Sequence, residues 1–280
     1  MYTLKRYLFL ALSVVSNIVI KKESTIDAEQ NVNIIATSYA EKISAVIDSC
    51  FSALDFYTQS DAVIFSKSSN QIGSWLSTTP DRRNSYFNYV LFIDANGNSF
   101  YDDGRTGFHG DRAYYKQIMQ GQDKVVTNPT IAKATGLVSA MIVKAAYNQN
   151  NEKIGMFVGV KNVKEIQDLV NSLKYGENGY AILVDGIGTV VASPDPKTQM
   201  ELNLLTSNIP SLAEMKTIAQ KMTRGKTGLE YINGMTGIGQ ELVVYTPVKL
   251  TSWSFGISIP KSQIENTAKK ITVILVSSNI

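Results

Sequence analysis

YVLFIDANG (89–97) and YAILVDGIG (180–188) share a tyrosine, a four-residue apolar run, an aspartate and a glycine at the same relative positions, 91 residues apart. Each apolar run has the length of a strand, and Asn96-Gly97 after the first is a hairpin turn signal. Asp-x-x-Gly between apolar runs is ordinary turn chemistry, so the shared aspartate and glycine are expected to build a turn in both places rather than a site. Recurrence at this spacing predicts two copies of one α/β unit.

The sequence around each copy fills out the same plan. In the first, VVTNPTIA (125–132), GLVSAMIVKAAYN (136–148) and KIGMFVGVKN (153–162) read as further strands of an antiparallel sheet. VKEIQDLVNSLKYG (163–176) returns to helical spacing and is expected to end at Gly176 as a C-terminal cap. The second copy has its own hairpin, a helical stretch near 211–222, and closing strands ELVVYTPVKL (241–250) and WSFGISI (253–259).

Upstream, no glycine or proline occurs before Gly73, as expected of a long helix. Val32, Ala36, Tyr39, Ile43, Val46, Cys50, Leu54 and Tyr57 recur at spacings of three and four, a heptad-like stripe. If residues 24–72 are all helical, the rod is roughly 70 Å long and must pack along a domain, a partner copy, or both. On that stripe Cys50 reads as a small core residue. The fold class is therefore α+β: a long N-terminal helix followed by two tandem antiparallel-sheet modules.

The termini point to a membrane. After Lys5 and Arg6 comes YLFLALSVVSNIVI (7–20), followed by Lys21 and Lys22. At 14 residues the run is shorter than the roughly 20 needed to span a bilayer squarely, which leaves a signal-peptide core or a short uncleaved anchor; the lack of a small-x-small cleavage site favours the anchor. ITVILVSSNI (271–280) reads as the first half of a second membrane helix, with a buried strand as the alternative.

Composition excludes several functions. The formal charge is +3, from 27 basic and 24 acidic residues, with no basic block longer than a pair, so no nucleic-acid partner is expected. One cysteine, Cys50, and one histidine, His109, exclude an internal disulfide and speak against a His/Cys metal cage, and no metal or cofactor is expected. A hydrolytic triad would have to be built around His109 alone, and no motif joins it to a nucleophile.

The remaining feature is FHGDRAYYKQI (108–118). Gly107 and Gly110 are expected to bend the backbone, Asp111 to cap a helix through AYYKQIMQG, and Arg112 to sit in its first turn. A cation is disfavoured there unless an anion is bound, and a guanidinium grips a carboxylate through two parallel hydrogen bonds. Tyr114 and Tyr115 could add hydroxyls and an aromatic wall. The competing reading pairs Arg112 with Asp102 or Asp103 and places the tyrosines in the core.

The whole arrangement resembles the double Cache family of bacterial extracytoplasmic sensors over about residues 24–265. The resemblance rests on the D-x-x-G hairpin, the DRAYY stretch, the NPT...TG segment from Asn128 to Gly136, and GYAILVD. It implies PAS-like modules: an anchor or signal segment (1–23), a stalk helix (24–80), a membrane-distal module (81–165), a connecting helix (166–179), a membrane-proximal module (180–262), and a C-terminal helix leading into the membrane (263–280). It also implies a ligand pocket in the distal module, with no catalytic step.

In the amino-acid-binding branch of that family an arginine holds the ligand carboxylate and is followed by aromatics at plus two and plus three, positions held here by Tyr114 and Tyr115. The branch's tyrosine five residues before the arginine is Gly107 here, and its amine-binding aspartate falls at Lys161. Arg112 and Lys161 in one cavity would suit a small organic acid better than an amino acid. The resemblance adds Tyr101, Asp103, Asn128 and Thr130 to the expected ligand-binding residues. The function so implied is small-molecule sensing by a chemoreceptor at the cell membrane, and the long helix with its apolar stripe suggests a parallel homodimer. Other outputs of such sensors are a histidine kinase or a cyclic-dinucleotide enzyme, and an amino-acid or amine ligand is the alternative to an organic acid. An exported enzyme or an adhesive surface domain is the alternative of another class.

Overall fold

The repeated aspartates fold alike. Asp94 Oδ1 accepts the backbone N–H groups of Asn96 and Asn98, both at 2.9 Å. Asp185 Oδ1 accepts those of Ile187 and Thr189, at 3.0 and 2.8 Å. Gly97 and Gly188 complete the turns at φ of 87° and 88°, a region that glycine enters without steric cost. In this computed structural model, residues 2–131, 136–234 and 239–266 are described, with side chains from residue 18 onward except residues 20 and 21.

The chain opens with α1 (Tyr2–Thr58), α2 (Asp61–Ile64) and α3 (Ser69–Leu76). The first module then runs β1 (Tyr89–Asp94), β2 (Asn98–Tyr101), β3 (Thr106–Phe108), α4 (Ala113–Met119), β4 (Lys124–Val126), β5 (Thr130–Ile131), β6 (Val138–Tyr147) and β7 (Lys153–Asn162). After the linking helix α5 (Lys164–Ser172) come β8 (Lys174–Tyr175), β9 (Gly179–Val184), β10 (Val190–Ala192), α6 (Ala213–Met222), β11 (Gly228–Asn233), β12 (Gln240–Pro247) and β13 (Ser254–Pro260). The first sheet has the order β3-β2-β1-β7-β6-β4, with β5 also on β6; the second has β10-β9-β13-β12-β11, with β8 also on β9. Strand for strand, β2-β1-β7-β6-β4 matches β10-β9-β13-β12-β11, so the repeat in the sequence is a repeat in topology.

Period-two alternation gives each sheet two apolar faces. In the first module Leu91, Ile93, Val143, Met156, Val158 and Val160 pack with Tyr114 and Ile118 of α4. Phe92, Ile142 and Phe157 turn the other way, onto α1. In the second, Ile182, Val184, Val190, Val243 and Tyr245 pack with α6, while Leu183, Val244, Phe255 and Ile257 share the α1 core. One helix thus backs both sheets. Val32, Ala36, Ile43, Cys50, Leu54 and Tyr57 of the expected stripe are fully buried there, so the stripe is covered within the chain and does not supply a dimer face. Burial pushes the Cys50 thiol up to about 11, as befits a core residue.

Two helix ends differ from expectation. The long helix stops at Thr58, not near 72, because Ser60 and Ser68 accept hydrogen bonds from the N–H groups of Ala62 and Gln71 and start α2 and α3 as separate helices. The linking helix stops at Ser172, not at Gly176; Lys174 and Tyr175 pair with β9, and Gly176, at φ 61°, lies in the turn of that hairpin. Residues 261–266 are helical, and 271–280 lie outside the described residues. Among the described residues no helix is long and apolar enough to cross a membrane.

Candidate functional site

The stretch 108–118 is stitched to the first hairpin. Residues 106–108 form the edge strand β3, so Gly107 lies in a strand instead of a bend. Beyond it the His109 N–H donates to Gly97 O at 2.8 Å. Gly97 and Gly110 approach so closely that a Cβ on Gly97 would lie 2.6 Å from Gly110 Cα. This contact sets where α4 begins. Arg112, not Asp111, is the N-cap residue, with extended backbone and no side-chain cap bond. The capping expected of Asp111 fails because the chain enters α4 one residue later, and Asp111 lies beside Arg112 with Oδ1 3.6 Å from Nε. Both side chains are more than half exposed, so this pair holds the guanidinium only weakly.

Around Arg112 the α4 face of the sheet carries an aromatic cluster. Tyr101 pairs with Leu91 across the β1-β2 ladder, and its ring centroid lies 5.8 Å from that of Tyr89 and 6.0 Å from that of His109. His109 Nδ1 is 3.0 Å from Ser99 Oγ, and Nε2 is 3.4 Å from the Tyr101 hydroxyl. Burial lowers the His109 pKa and the nearby Arg112 charge lowers it further, against a smaller opposing pull from Asp111, so the site favours the neutral imidazole. Tyr114 is packed below, where burial raises its phenol pKa against the opposing pull of Arg112. Arg112 is near enough for its charge to act on Tyr101, His109 and Tyr114, and Arg105 lies 4.7 Å over the Tyr101 ring, so cations, phenols and an imidazole share an apolar floor, a set suited to a small anion.

Of the expected residues, Arg112, Tyr101 and Tyr114 lie within electrostatic reach of one another, and the others lie elsewhere. Tyr115 donates its hydroxyl to Ala95 O at 2.7 Å, tying α4 to the hairpin turn. Asp103 is exposed and held by Arg105, Nε to Oδ2 2.7 Å, while the buried Asp102 takes Arg83 at 2.6 Å. Neither aspartate pairs with Arg112. Thr130 is exposed on β5, facing Ser139 in the ladder. Asn128 Oδ1 accepts the Gly186 N–H at 3.1 Å and lies 3.0 Å from Ser252 Oγ, so it clasps the two modules together.

Lys161 does not share a cavity with Arg112. Adjacent strand residues face opposite ways, and with Val158 and Val160 on the α4 face, Lys161 falls on the α1 face. There it is buried beside Cys50, 5.2 Å from the centre of the Tyr86 ring and 3.1 Å from Glu165 Oε2. Tyr89, Ser99 and His109 are the cluster members missed as ligand-binding residues. The signal for Tyr89 was its position two residues before Leu91, on the same face.

The family model for the Cache domain (dCache_1) matches residues 20–268. The chain belongs to the Cache domain family. Among curated relatives, the methyl-accepting chemotaxis protein PscA of Pseudomonas syringae pv. tomato is 26% identical over 138 residues, 49% of this chain and 20% of PscA. McpC of Bacillus subtilis, also a methyl-accepting chemotaxis protein, is 27% identical over 154 residues, 55% of this chain and 21% of McpC. The chain thus spans about a fifth of the length of these relatives. Two solved structures share the Cache fold: the extracellular domain of mmHK1S-Z2, named as a histidine kinase (TM-score 0.67, 17% identity, 85% of this chain and 98% of that one), and the ligand-binding domain of the Pseudomonas aeruginosa chemoreceptor PctC with GABA (TM-score 0.63, 19% identity, 82% and 99%). This Cache domain is of a kind found in receptor sensors, not an enzyme family.

Proposed function

We propose that this Cache domain is the extracytoplasmic sensing region of a bacterial transmembrane chemoreceptor, and that its first module binds a small carboxylate. The observation that carries this reading is the cluster of Tyr89, Tyr101, His109 and Tyr114 on the α4 side of the first sheet, with Arg112 at the start of α4 near enough for its charge to act on three of them. Arg112 grips the carboxylate; the Tyr101 hydroxyl and the imidazole fix its orientation; Tyr114, Leu91 and Val160 form the apolar floor. Because Lys161 lies on the opposite face, it neither calls for a second carboxylate nor opposes an ammonium group. Amino acids are therefore included among the candidate carboxylates.

The signal travels by population shift. Asn128 links the first module to the turns after β9 and β12, and the β13 strand runs directly into the helix at 261–266. A ligand that tightens the first module biases the docking of the second and hence the position of that helix. The test is a thermal-shift screen of the chain against organic acids, amino acids, amines and purines. Carboxylates are expected to raise the melting temperature; stabilisation by amines or neutral bases alone would show the reading to be wrong.

A further inference from the structure

The second module has a cavity of its own, of about 440 Å³, on the α6 face of its sheet. Tyr180 and Ile182, the counterparts of Tyr89 and Leu91 in the repeat, form part of its wall. We propose that this cavity binds a small aliphatic amine in its protonated form. Its body is aliphatic, built from Ile182, Val190, Leu202, Leu204 and Leu212. Burying a short branched alkyl chain against such walls is favourable at about 25 cal/mol per Å².

The polar atoms decide the head group. Ser193 Oγ and Thr198 Oγ1 are 2.5 Å apart, and each lies within hydrogen-bond reach of Asp195 O, at 2.9 and 2.8 Å. Two hydroxyl protons serve one bond between the hydroxyls and one to that carbonyl, which leaves lone pairs and no donor for a ligand. The Tyr180 hydroxyl is likewise committed, donating to Glu241 Oε2 at 3.4 Å. At the rim stands the exposed carboxylate of Asp195, whose Oδ1 takes only the Lys197 N–H. Apart from the exposed Ser211 hydroxyl, which can donate or accept, the polar lining offers acceptors and a negative charge, which favour a cation that donates hydrogen bonds over a carboxylate. The wall is also tied to the linking helix: Gln167 Nε2 of α5 donates to Val191 O at 2.8 Å, and Gln199 Nε2 to Ser193 O at 2.7 Å. An occupant would thus bear on the element that joins the two modules.

Three probes with one branched five-carbon skeleton separate the head groups: isoamylamine, isoamyl alcohol and isovalerate, titrated into the intact chain while the Ile182 methyl resonance is followed by NMR. The expected order is amine, then alcohol, with isovalerate shifting nothing at Ile182. Asp195→Asn, a change at an exposed position, should weaken the amine about fivefold and leave the alcohol unchanged. Ser193→Leu should remove both, while Arg112→Ala should affect neither. An unmoved Ile182 resonance, isovalerate binding as tightly as the amine, or undiminished amine affinity in Asp195→Asn would each overturn the proposal.

Discussion

Asp185 shows how one side chain fixes a turn. It is buried, burial raises its pKa, and its carboxylate satisfies two backbone N–H groups that have no other acceptor in the turn. Replacement by alanine should cost about 1–3 kcal/mol, because buried donors are left unmade, and urea denaturation would measure it. His109 gives the chain a pH dependence whose sign follows from its lowered pKa. The unfolded histidine binds a proton near its usual 6.5, whereas the folded one resists, so stability is complete above that value and falls as pH drops through the lower folded pKa. A melting curve against pH should show this loss in the wild type and not in His109→Gln; identical slopes would remove His109 from the cluster. The residue types of this site were visible in the sequence. The side of the sheet was not: Lys161 was placed in the site by the family resemblance, and the parity of β7 reveals that it faces α1.

At the scale of elements, the hairpin turn and the start of α4 are one unit. Gly97→Ala places a Cβ 2.6 Å from Gly110 Cα and holds a non-glycine residue at φ 87°. It should destabilise the first module by about 1–3 kcal/mol and displace Arg112, seen as lost stability together with weaker carboxylate binding. Strands β6 and β7 were legible as long, nearly continuous apolar runs, because both faces of the sheet are covered. Helix ends were not, since they depend on local competition: Ser60 and Ser68 divide an uninterrupted glycine-free, proline-free run, and Lys174 and Tyr175 choose the sheet over the helix. The edge strand β3 was missed because its three residues are all exposed and carry no burial pattern.

Over the whole molecule, α1 is the shared spine. Its buried stripe joins both sheets in one core, and Tyr231 to Glu29 and Lys249 to Ser44 hydrogen bonds, 2.7 and 3.0 Å, fasten the second module to it. The modules also meet directly through Asn128. Asn128→Ala should leave global stability nearly unchanged but speed hydrogen exchange at the Gly186 amide, which loses its acceptor. The two-module plan was legible from a single repeated nonapeptide, while the clasp was not, because Asn128 lies 58 residues from its partner Gly186. Sensing in the first module is tested most directly by calorimetric titration of the best-stabilising carboxylate into wild type, Arg112→Ala and Lys161→Met. The expected result is at least about tenfold weaker binding in Arg112→Ala and unchanged affinity in Lys161→Met. Wild-type affinity in Arg112→Ala, or a loss confined to Lys161→Met, would contradict it.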